Sequence, residues 1–305
     1  MSPQTLATLL PSEIIHLPET PTFASRESSY WSSSARLSPS AILIPRTTPE
    51  VSQCIKALVS TSTPFAIRSG GHTNWSGSNN ISSGVTLDLS LLNTTTYDPA
   101  TETATIGPGA RWRDVYATLH EYGRAVAGGR EGNVGVGGLL LGGGNTFFTA
   151  RKGFACDNVV GYEVVLADGR VVQATAEENE DLFRVLKGGG NNFGVVTSFT
   201  METVVCGHVW GGMTFFGRDQ ITAAIEGVKE FTDRVEEDVH NNLVCIFTYM
   251  PDFKEVVVAT LYANVKGVEK PRAYEKWFGM KEMMSMVKMT SVKEMAFEHN
   301  IPAGY

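Results

Sequence analysis

Three glycine-rich segments constrain this chain more than any other feature. They read RSGGH at residues 68–72, AGGREGNVGVGGLLLGGG at 127–144 and KGGGNNFG at 187–194. Glycine tolerates positive φ and lets backbone N–H groups approach a ligand closely, so runs of glycine can form concave sites for anions such as a pyrophosphate. Three such segments exceed what turns alone require. The segments are therefore candidates for binding an anion such as a pyrophosphate.

The familiar nucleotide and hydrolase motifs do not account for these segments. GVGGLL, which starts at Gly135, has leucine where a dinucleotide-binding motif needs its third glycine, and no phosphate-binding G-x-x-x-x-G-K-[ST] occurs. Ser69, His72 and Asp88 could form a hydrolase triad on paper, but the sequence lacks a G-x-S-x-G elbow. A Rossmann domain, a P-loop and a serine hydrolase are therefore disfavoured.

Length, charge and cysteine content narrow the remaining classes. A chain of 305 residues predicts about two domains, and its net charge of −7, without a Lys or Arg run, argues against a nucleic-acid partner. The four cysteines are far apart and form no C-x-x-C or cysteine–histidine spacing. We predict isolated buried thiols and no metal site.

The amino terminus carries no recognisable targeting signal. It has neither a basic n-region nor the apolar core of a signal peptide, and no apolar run is long enough to span a bilayer. The sequence therefore predicts no membrane association, and a cytoplasmic location unless the amino terminus is incomplete. Glycosylation triplets begin at Asn74, Asn80 and Asn93, and a secreted relative could be modified there.

Apolar periodicity predicts an α+β fold. Residues 40–60 read as strand, turn and helix, residues 159–175 as a hairpin around Ala-Asp-Gly, and residues 111–123 and 178–190 as helices that stop at glycine. Residues 1–30 read as a poorly anchored lead-in. From about residue 207 the glycines thin out and the elements lengthen, which indicates a second sheet-and-helix domain.

The carboxy-terminal part of this second domain has an unusual composition. Six methionines lie between Met280 and Met295, and we interpret them as the adaptable core face of a helix around Met283. The aromatic residues Trp210, Phe215 and Phe216 alternate as core residues do, although they leave open a carbohydrate- or peptide-binding module.

Five segments, read in order, carry a family resemblance. They are PFAIRSGGHTNWSG, TLDLSLLN, ATIGPGARWRDVYATL, VGVGGLLLGGGNTFFTARKGFACDNVVGYEVVLADG and LFRVLKGGGNNFGVVTSFTMET. This set resembles the flavin-binding domain of the berberine-bridge-enzyme-like FAD-linked oxidoreductases, in the vanillyl-alcohol-oxidase group. The resemblance implies a PCMH-type FAD-binding domain of two α+β subdomains at residues 31–206. An incomplete antiparallel sheet-plus-helix substrate domain would follow at residues 207–305.

The resemblance also implies specific roles for residues of the three segments. In that family the histidine of R-S-G-G-H is joined to the 8α-methyl carbon of FAD, and His72 occupies this position. Further residues are implied to surround the cofactor: Arg68, Ser69, Gly70, Gly71, Thr73, Gly128, Gly129, Val134, Gly135, Gly137, Gly138, Gly142, Gly143, Gly144, Asp157, Asn158, Gly194 and Val196. Some relatives attach FAD through a second bond to a cysteine, but residues 130–133 here are Arg-Glu-Gly-Asn.

The function implied by the resemblance is the oxidation of a small molecule, of the kind met in secondary metabolism. Hydride would pass from the substrate to covalently bound FAD, with O₂ as the acceptor of the electrons. The chain stops inside the family's second domain, before the positions where relatives carry catalytic residues, so no catalytic residue is assigned. The alternative is a flavin-binding remnant without turnover.

Overall fold

The computed structural model describes residues 6–251 and 253–298. The strands are Ile15–His16 (β1), Ala41–Leu43 (β2), Phe65–Arg68 (β3), Val85–Asp88 (β4), Thr95–Asp98 (β5), Thr103–Ile106 (β6), Arg124–Val126 (β7), Val159–Val165 (β8), Val171–Thr175 (β9), Val195–Val205 (β10), Val209–Phe216 (β11), Asn241–Met250 (β12), Glu255–Asn264 (β13), Glu282–Ser285 (β14) and Lys288–Thr290 (β15). The α-helices are Pro21–Ser28, Thr48–Ser60, Trp112–His120, Val136–Leu141, Thr149–Lys152, Glu180–Leu186, Ile221–Asp233, Glu275–Phe278 and Val292–Glu298.

The first sheet has the strand order β1-β2-β4-β3, with β2, β3 and β4 parallel to one another. The predicted strand, turn and helix at residues 40–60 are confirmed. Thr47 caps the helix by accepting the Glu50 N–H at 3.3 Å, and Pro49 lies in the first turn, where its missing N–H costs nothing. The parallel strands end together, and β3 leads directly into the first glycine-rich segment.

The prediction of a poorly anchored lead-in is wrong for the described residues before position 31. Leu6, Leu10 and Ile14 are buried in the core of the first sheet, and β1 pairs with β2. The helix Pro21–Ser28 is held by Arg26, whose guanidinium donates to Asp88 at the end of β4. Burial of the apolar residues spaced along this segment is the physical reason for its anchoring.

The second sheet is antiparallel, with the order β5-β6-β10-β8-β9 and β7 paired to β10. The predicted hairpin is confirmed as β8 and β9. Its turn is closed by the Leu166 N–H, which donates to the Arg170 carbonyl at 2.9 Å, and Gly169 takes a φ of +80° that favours glycine. The two predicted helices form at Trp112–His120 and Glu180–Leu186, and Trp112 is fully buried against the sheet.

The third sheet is also antiparallel, with the order β12-β13-β11-β14 and β15 paired to β11. The helix Ile221–Asp233 covers one face over an aromatic core in which Trp210, Tyr262, Tyr274 and Trp277 are buried. The predicted change to longer sheet and helix elements from about residue 207 is confirmed. Trp210 and Phe216 are core residues, so the aromatic alternation reflects packing.

The prediction of a methionine-rich helix is wrong. Residues 282–285 and 288–290 are strands at the edge of the third sheet, where Met284 pairs with Phe215. Met283, Met284, Met286 and Met289 are each about two fifths exposed, so they are not core residues. Methionine spacing alone does not distinguish a helix from a strand. The conformation of residues 282–290 is set by backbone pairing with β11.

The three sheets share continuous cores. Val165 and Val195 of the second sheet lie in the core of the first, while Leu261 of β13 packs in the core of the second. The helix Val292–Glu298 returns to the helix Trp112–His120, with Met295 fully buried. The domain boundaries at residues 31 and 206 stay predictions. In the described part of the chain, no helix has the length and apolar character needed to cross a membrane.

Candidate cofactor cavity

The first two glycine-rich segments touch each other backbone to backbone. A Cβ atom on Gly70 would lie 2.5 Å from the Gly135 nitrogen, and one on Gly135 would lie 2.5 Å from the Gly70 Cα. Ser69 extends the contact by donating its hydroxyl to the Pro108 carbonyl at 2.5 Å. No side chain fits between these loops, which explains why both positions are glycine.

The third segment joins the other two through the helix Val136–Leu141. The Gly190 N–H donates to the Leu141 carbonyl at 2.9 Å. Gly194 takes a φ of +145°, and a Cβ atom there would approach Val164 to 2.6 Å. The three loops, which are far apart in sequence, therefore come together in the folded chain.

The three loops enclose a cavity of about 530 Å³, within the range of roughly 300–1,000 Å³ common for small-molecule sites. Its lining contains thirteen of the predicted site residues: Ser69, Gly70, Gly71, His72, Thr73, Val134, Gly135, Gly137, Gly138, Gly142, Gly144, Gly194 and Val196. It also contains Ile67, Ser78, Asn79, Leu89, Pro108, Leu139, Leu141, Gly190, Asn191, Val195 and Phe199. None of these lining residues carries a carboxylate.

Arg68 was predicted beside the cofactor but does not line the cavity. Its side chain is fully buried, donates to the Arg26 carbonyl at 2.6 Å and to the Ser29 hydroxyl at 2.8 Å, and lies 3.7 Å from Asp88. The guanidinium also stacks on Tyr30, 3.7 Å from the ring centroid. Arg68 therefore fixes the base of the histidine loop to the lead-in segment.

The other predicted residues outside the cavity lining have local structural roles. Gly128 and Gly129 pack on the Trp112 indole, which a Cβ atom at either position would strike. Asp157 accepts the Phe154 N–H at 2.8 Å, and Asn158 donates to the Lys152 and Phe154 carbonyls, so both brace one turn. Gly143 takes a φ of +96° beside the lining residues Gly142 and Gly144.

His72 lies in the cavity wall in a closely packed environment. The Trp31 indole stacks on the imidazole with 5.4 Å between ring centroids and 17° between planes. Nε2 of His72 lies 3.4 Å from Oε2 of Glu131, in the second glycine-rich segment. Burial, assisted by the positive charge of Arg111, lowers the pKa of His72 to about 4. The imidazole is therefore neutral at physiological pH.

Sequence reasoning missed Trp31, Glu131 and the apolar part of the wall. Trp31 directly follows the segment interpreted as a lead-in, and Glu131 was noted only because it is not a cysteine. The apolar run Leu139–Leu141 lies between two groups of glycines. It was the one local signal that the cavity next to the glycine loops has an apolar wall. The structure also buries Asn80 completely, which rules out glycosylation there in the folded chain.

The comparisons with known proteins agree with this geometry. Residues 39–175 match the family model described as an FAD binding domain. The chain therefore contains an FAD-binding domain of the PCMH type. It is 41% identical over 282 residues to the FAD-dependent monooxygenase sdcF of Emericella nidulans, an alignment that covers 91% of this chain and 59% of that protein.

Solved structures share the fold. The BBE-like 1 protein of Physcomitrella patens superposes with a TM-score of 0.82 at 20% identity, over 97% of this chain and 64% of that one. The carbohydrate oxidase of Microdochium nivale, solved with a substrate analogue, gives a TM-score of 0.79 at 26% identity, over 97% and 63%. Residues 39–175 therefore belong to the FAD-binding domain family, and the chain spans about three fifths of the length of these relatives.

Proposed function

We propose that this chain holds FAD covalently through His72 and oxidises a small secondary-metabolite substrate with O₂ as the final acceptor. The observation that carries the proposal is the meeting of three glycine-rich loops around one cavity, with the His72 imidazole in its wall. When bound, FAD supplies a hydride acceptor and returns both electrons to O₂. The protein supplies binding, orientation and exclusion of water.

The cavity wall fits the two chemical halves of FAD. Glycine backbone from the three loops can approach a diphosphate closely, and no lining carboxylate opposes its charge. Val134, Leu139, Val195 and Phe199 give apolar surface suited to an aromatic ring system. These residues would hold the cofactor in place.

His72 has the protonation state that a covalent link requires. A nitrogen must present a lone pair to form a bond to carbon, and only the neutral imidazole has one. Burial lowers the pKa of His72 to about 4, so nearly every molecule carries the neutral form at pH 7. This supports His72 as the attachment residue.

The names of similar proteins support a flavin-dependent oxidation. They differ on whether oxygen is released as H₂O₂ or transferred to the substrate. The curated relative from Emericella nidulans is called a monooxygenase, whereas the Microdochium nivale structure is a carbohydrate oxidase. An oxidase releases both oxygen atoms as H₂O₂, whereas a monooxygenase transfers one of them to the substrate. We propose an oxidase, in line with the Microdochium nivale structure, and infer a substrate of secondary metabolism from the fungal relatives.

The alternative is a flavin-binding chain without turnover. The chain spans 59% of the sdcF protein, so turnover by the chain is part of the proposal. Flavin binding is common to both candidates, and only turnover separates them.

The experiment measures flavin retention and turnover on the same preparation. Purified protein should keep its yellow colour in the pellet after acid precipitation, and H₂O₂ should form in step with substrate loss across a panel of small alcohols, amines and phenols. The control variant His72→Ala should release its flavin to the supernatant. A colourless pellet from the unsubstituted chain contradicts the covalent link, whereas a yellow pellet without turnover across the panel favours the alternative.

A further inference from the structure

The Glu131 carboxylate faces the reactive imidazole from the second glycine-rich segment. Its Oε2 lies 3.4 Å from Nε2 of His72, and both side chains are more than four fifths buried. Its Oε1 accepts the Asn133 N–H at 3.1 Å, which fixes the direction of the carboxylate. The carboxylate therefore meets one particular edge of the imidazole ring.

The plane of the imidazole is set from another side. Trp31 stacks on the ring with an interplanar angle of 17°, and its own backbone N–H donates to the Gly71 carbonyl at 3.0 Å. The stacking indole is therefore tied to the loop that carries His72. Trp31 fixes the plane of the imidazole ring, and the Glu131 carboxylate faces the Nε2 edge of that ring.

We propose that Glu131 is a positioning residue for attachment of flavin to His72: it holds the Nε2–H tautomer, presents Nδ1 as the nucleophile and receives the Nε2 proton as the bond forms. A neutral imidazole carries one proton, and the hydrogen bond made by one nitrogen decides which nitrogen keeps the lone pair. This inference rests on the proposed covalent role of His72.

The attachment step balances with O₂ as the oxidant. A bond forms between Nδ1 of His72 and the 8α carbon of the flavin, and one C–H bond of the 8α methyl group breaks. Alkylation at Nδ1 makes the ring cationic, and transfer of the Nε2 proton to Glu131 restores neutrality. Overall, one hydrogen from the imidazole and one from the methyl group, with two electrons, reduce O₂ to H₂O₂.

A carboxylate suits this role better than its amide counterpart. The carboxylate only accepts hydrogen bonds, so it selects Nε2–H, and its charge stabilises the cation that forms on alkylation. A glutamine could instead donate its N–H₂ to Nε2 and favour the wrong tautomer. At metal-binding histidines, losing the outer hydrogen-bond partner typically costs about 10- to 100-fold in affinity or activity, and we expect a loss of that size here.

The test follows covalent attachment directly. Flavin-free protein is mixed with FAD in air, and fluorescence of the protein band on denaturing gels is recorded over time. Glu131→Gln should attach flavin about 10- to 100-fold more slowly than the unsubstituted chain. Glu131→Asp should recover part of the rate, and the matched control Glu121→Gln, at an exposed helix end, should match the unsubstituted chain.

Chemical rescue separates a positioning role from a structural one. Added formate should accelerate attachment in Glu131→Ala, because a free carboxylate can enter the space, and should leave the unsubstituted chain unchanged. Equal attachment rates in Glu131→Gln and the unsubstituted chain overturn the inference, as does Glu131→Ala without formate rescue. If the unsubstituted chain itself attaches no flavin, the proposed role of His72 fails, and the inference fails with it.

Discussion

The glycine loops and the methionine-bearing edge of the third sheet differ in how much space they leave for a side chain. At Gly70 and Gly135 two backbones approach so closely that a single Cβ atom would lie 2.5 Å from the facing main chain. Along β14 and β15 the side chains of Met283, Met284 and Met289 stand about two fifths exposed, with room around them. A position that excludes every side chain dictates its residue, whereas an open edge tolerates many.

The largest effect is expected from filling the loop contact. Gly135→Val should cost about 5 kcal/mol of unfolding free energy and abolish FAD binding, because its branched side chain meets the Gly70 backbone. Gly138→Ala is the matched control, since a Cβ atom there has no neighbour within 4 Å and helix propensity favours alanine by about 1 kcal/mol. Denaturant unfolding of both variants measures the difference, and equal stabilities would mean that the close contact at Gly135 does not exclude a side chain.

The next effect concerns the ion pairs beneath the histidine loop. Asp88→Asn should lower the unfolding free energy by about 3 to 4 kcal/mol, because it leaves the buried guanidinium of Arg68 without its counter-charge. The exposed pair of Arg113 and Asp114 gives the control, and Asp114→Asn should cost less than about 1 kcal/mol. Urea titrations compare the two variants. If Asp88→Asn lowers the unfolding free energy by less than about 1 kcal/mol, the buried ion pairs do not stabilise the fold.

A smaller effect is expected from pH. The pKa of His72 is lowered to about 4 in the folded chain, while an unfolded histidine titrates near 6.5. The unfolded state therefore binds the proton first as the pH falls, so stability is full above pH 6.5 and declines by about 1.4 kcal/mol per pH unit down to about pH 4. Unfolding of flavin-free protein at pH 6.5 and pH 5 should differ by about 2 kcal/mol more than in His72→Gln. Identical slopes in the two proteins would place His72 in a solvated site.

The smallest effect is expected at the open edge. Met284→Thr should change the unfolding free energy by less than about 0.5 kcal/mol, because the side chain is 44% exposed. Met295→Ala, at a fully buried position in the neighbouring helix, should cost about 2 to 5 kcal/mol. Thermal melts of the pair test this contrast. A large loss of unfolding free energy in Met284→Thr would show that this edge of the sheet is a packed surface.

Sequence patterns predicted the parts of the molecule whose causes are local. Glycine runs, the Ala-Asp-Gly turn and the helix stops each act within a few residues, so the loops, the hairpin and the helices at Trp112–His120 and Glu180–Leu186 were predicted correctly. The strand partner of Met284 is Phe215, far away along the chain, and methionine periodicity carries no information about it.

The residues around His72 could not be predicted from the sequence either, because their contacts with His72 are long-range. Trp31 and Glu131 come from different segments, and only the folded backbone brings a ring face and a carboxylate against the imidazole. Arg68 was assigned to the cofactor through the family resemblance, yet its charge is balanced by Asp88 and its side chain does not line the cavity. Proximity in sequence does not reveal the direction of a side chain.

Peptide mapping of the acid-precipitated protein tests the central claim most directly. Proteolysis of the denatured pellet, with detection of flavin fluorescence, should yield one flavin-bearing peptide, and its sequence should contain His72. The buried Cys156, whose pKa is raised by burial, should carry none. A flavin-bearing peptide without His72, or a pellet without flavin, would contradict the account of a covalent site built by the three glycine loops.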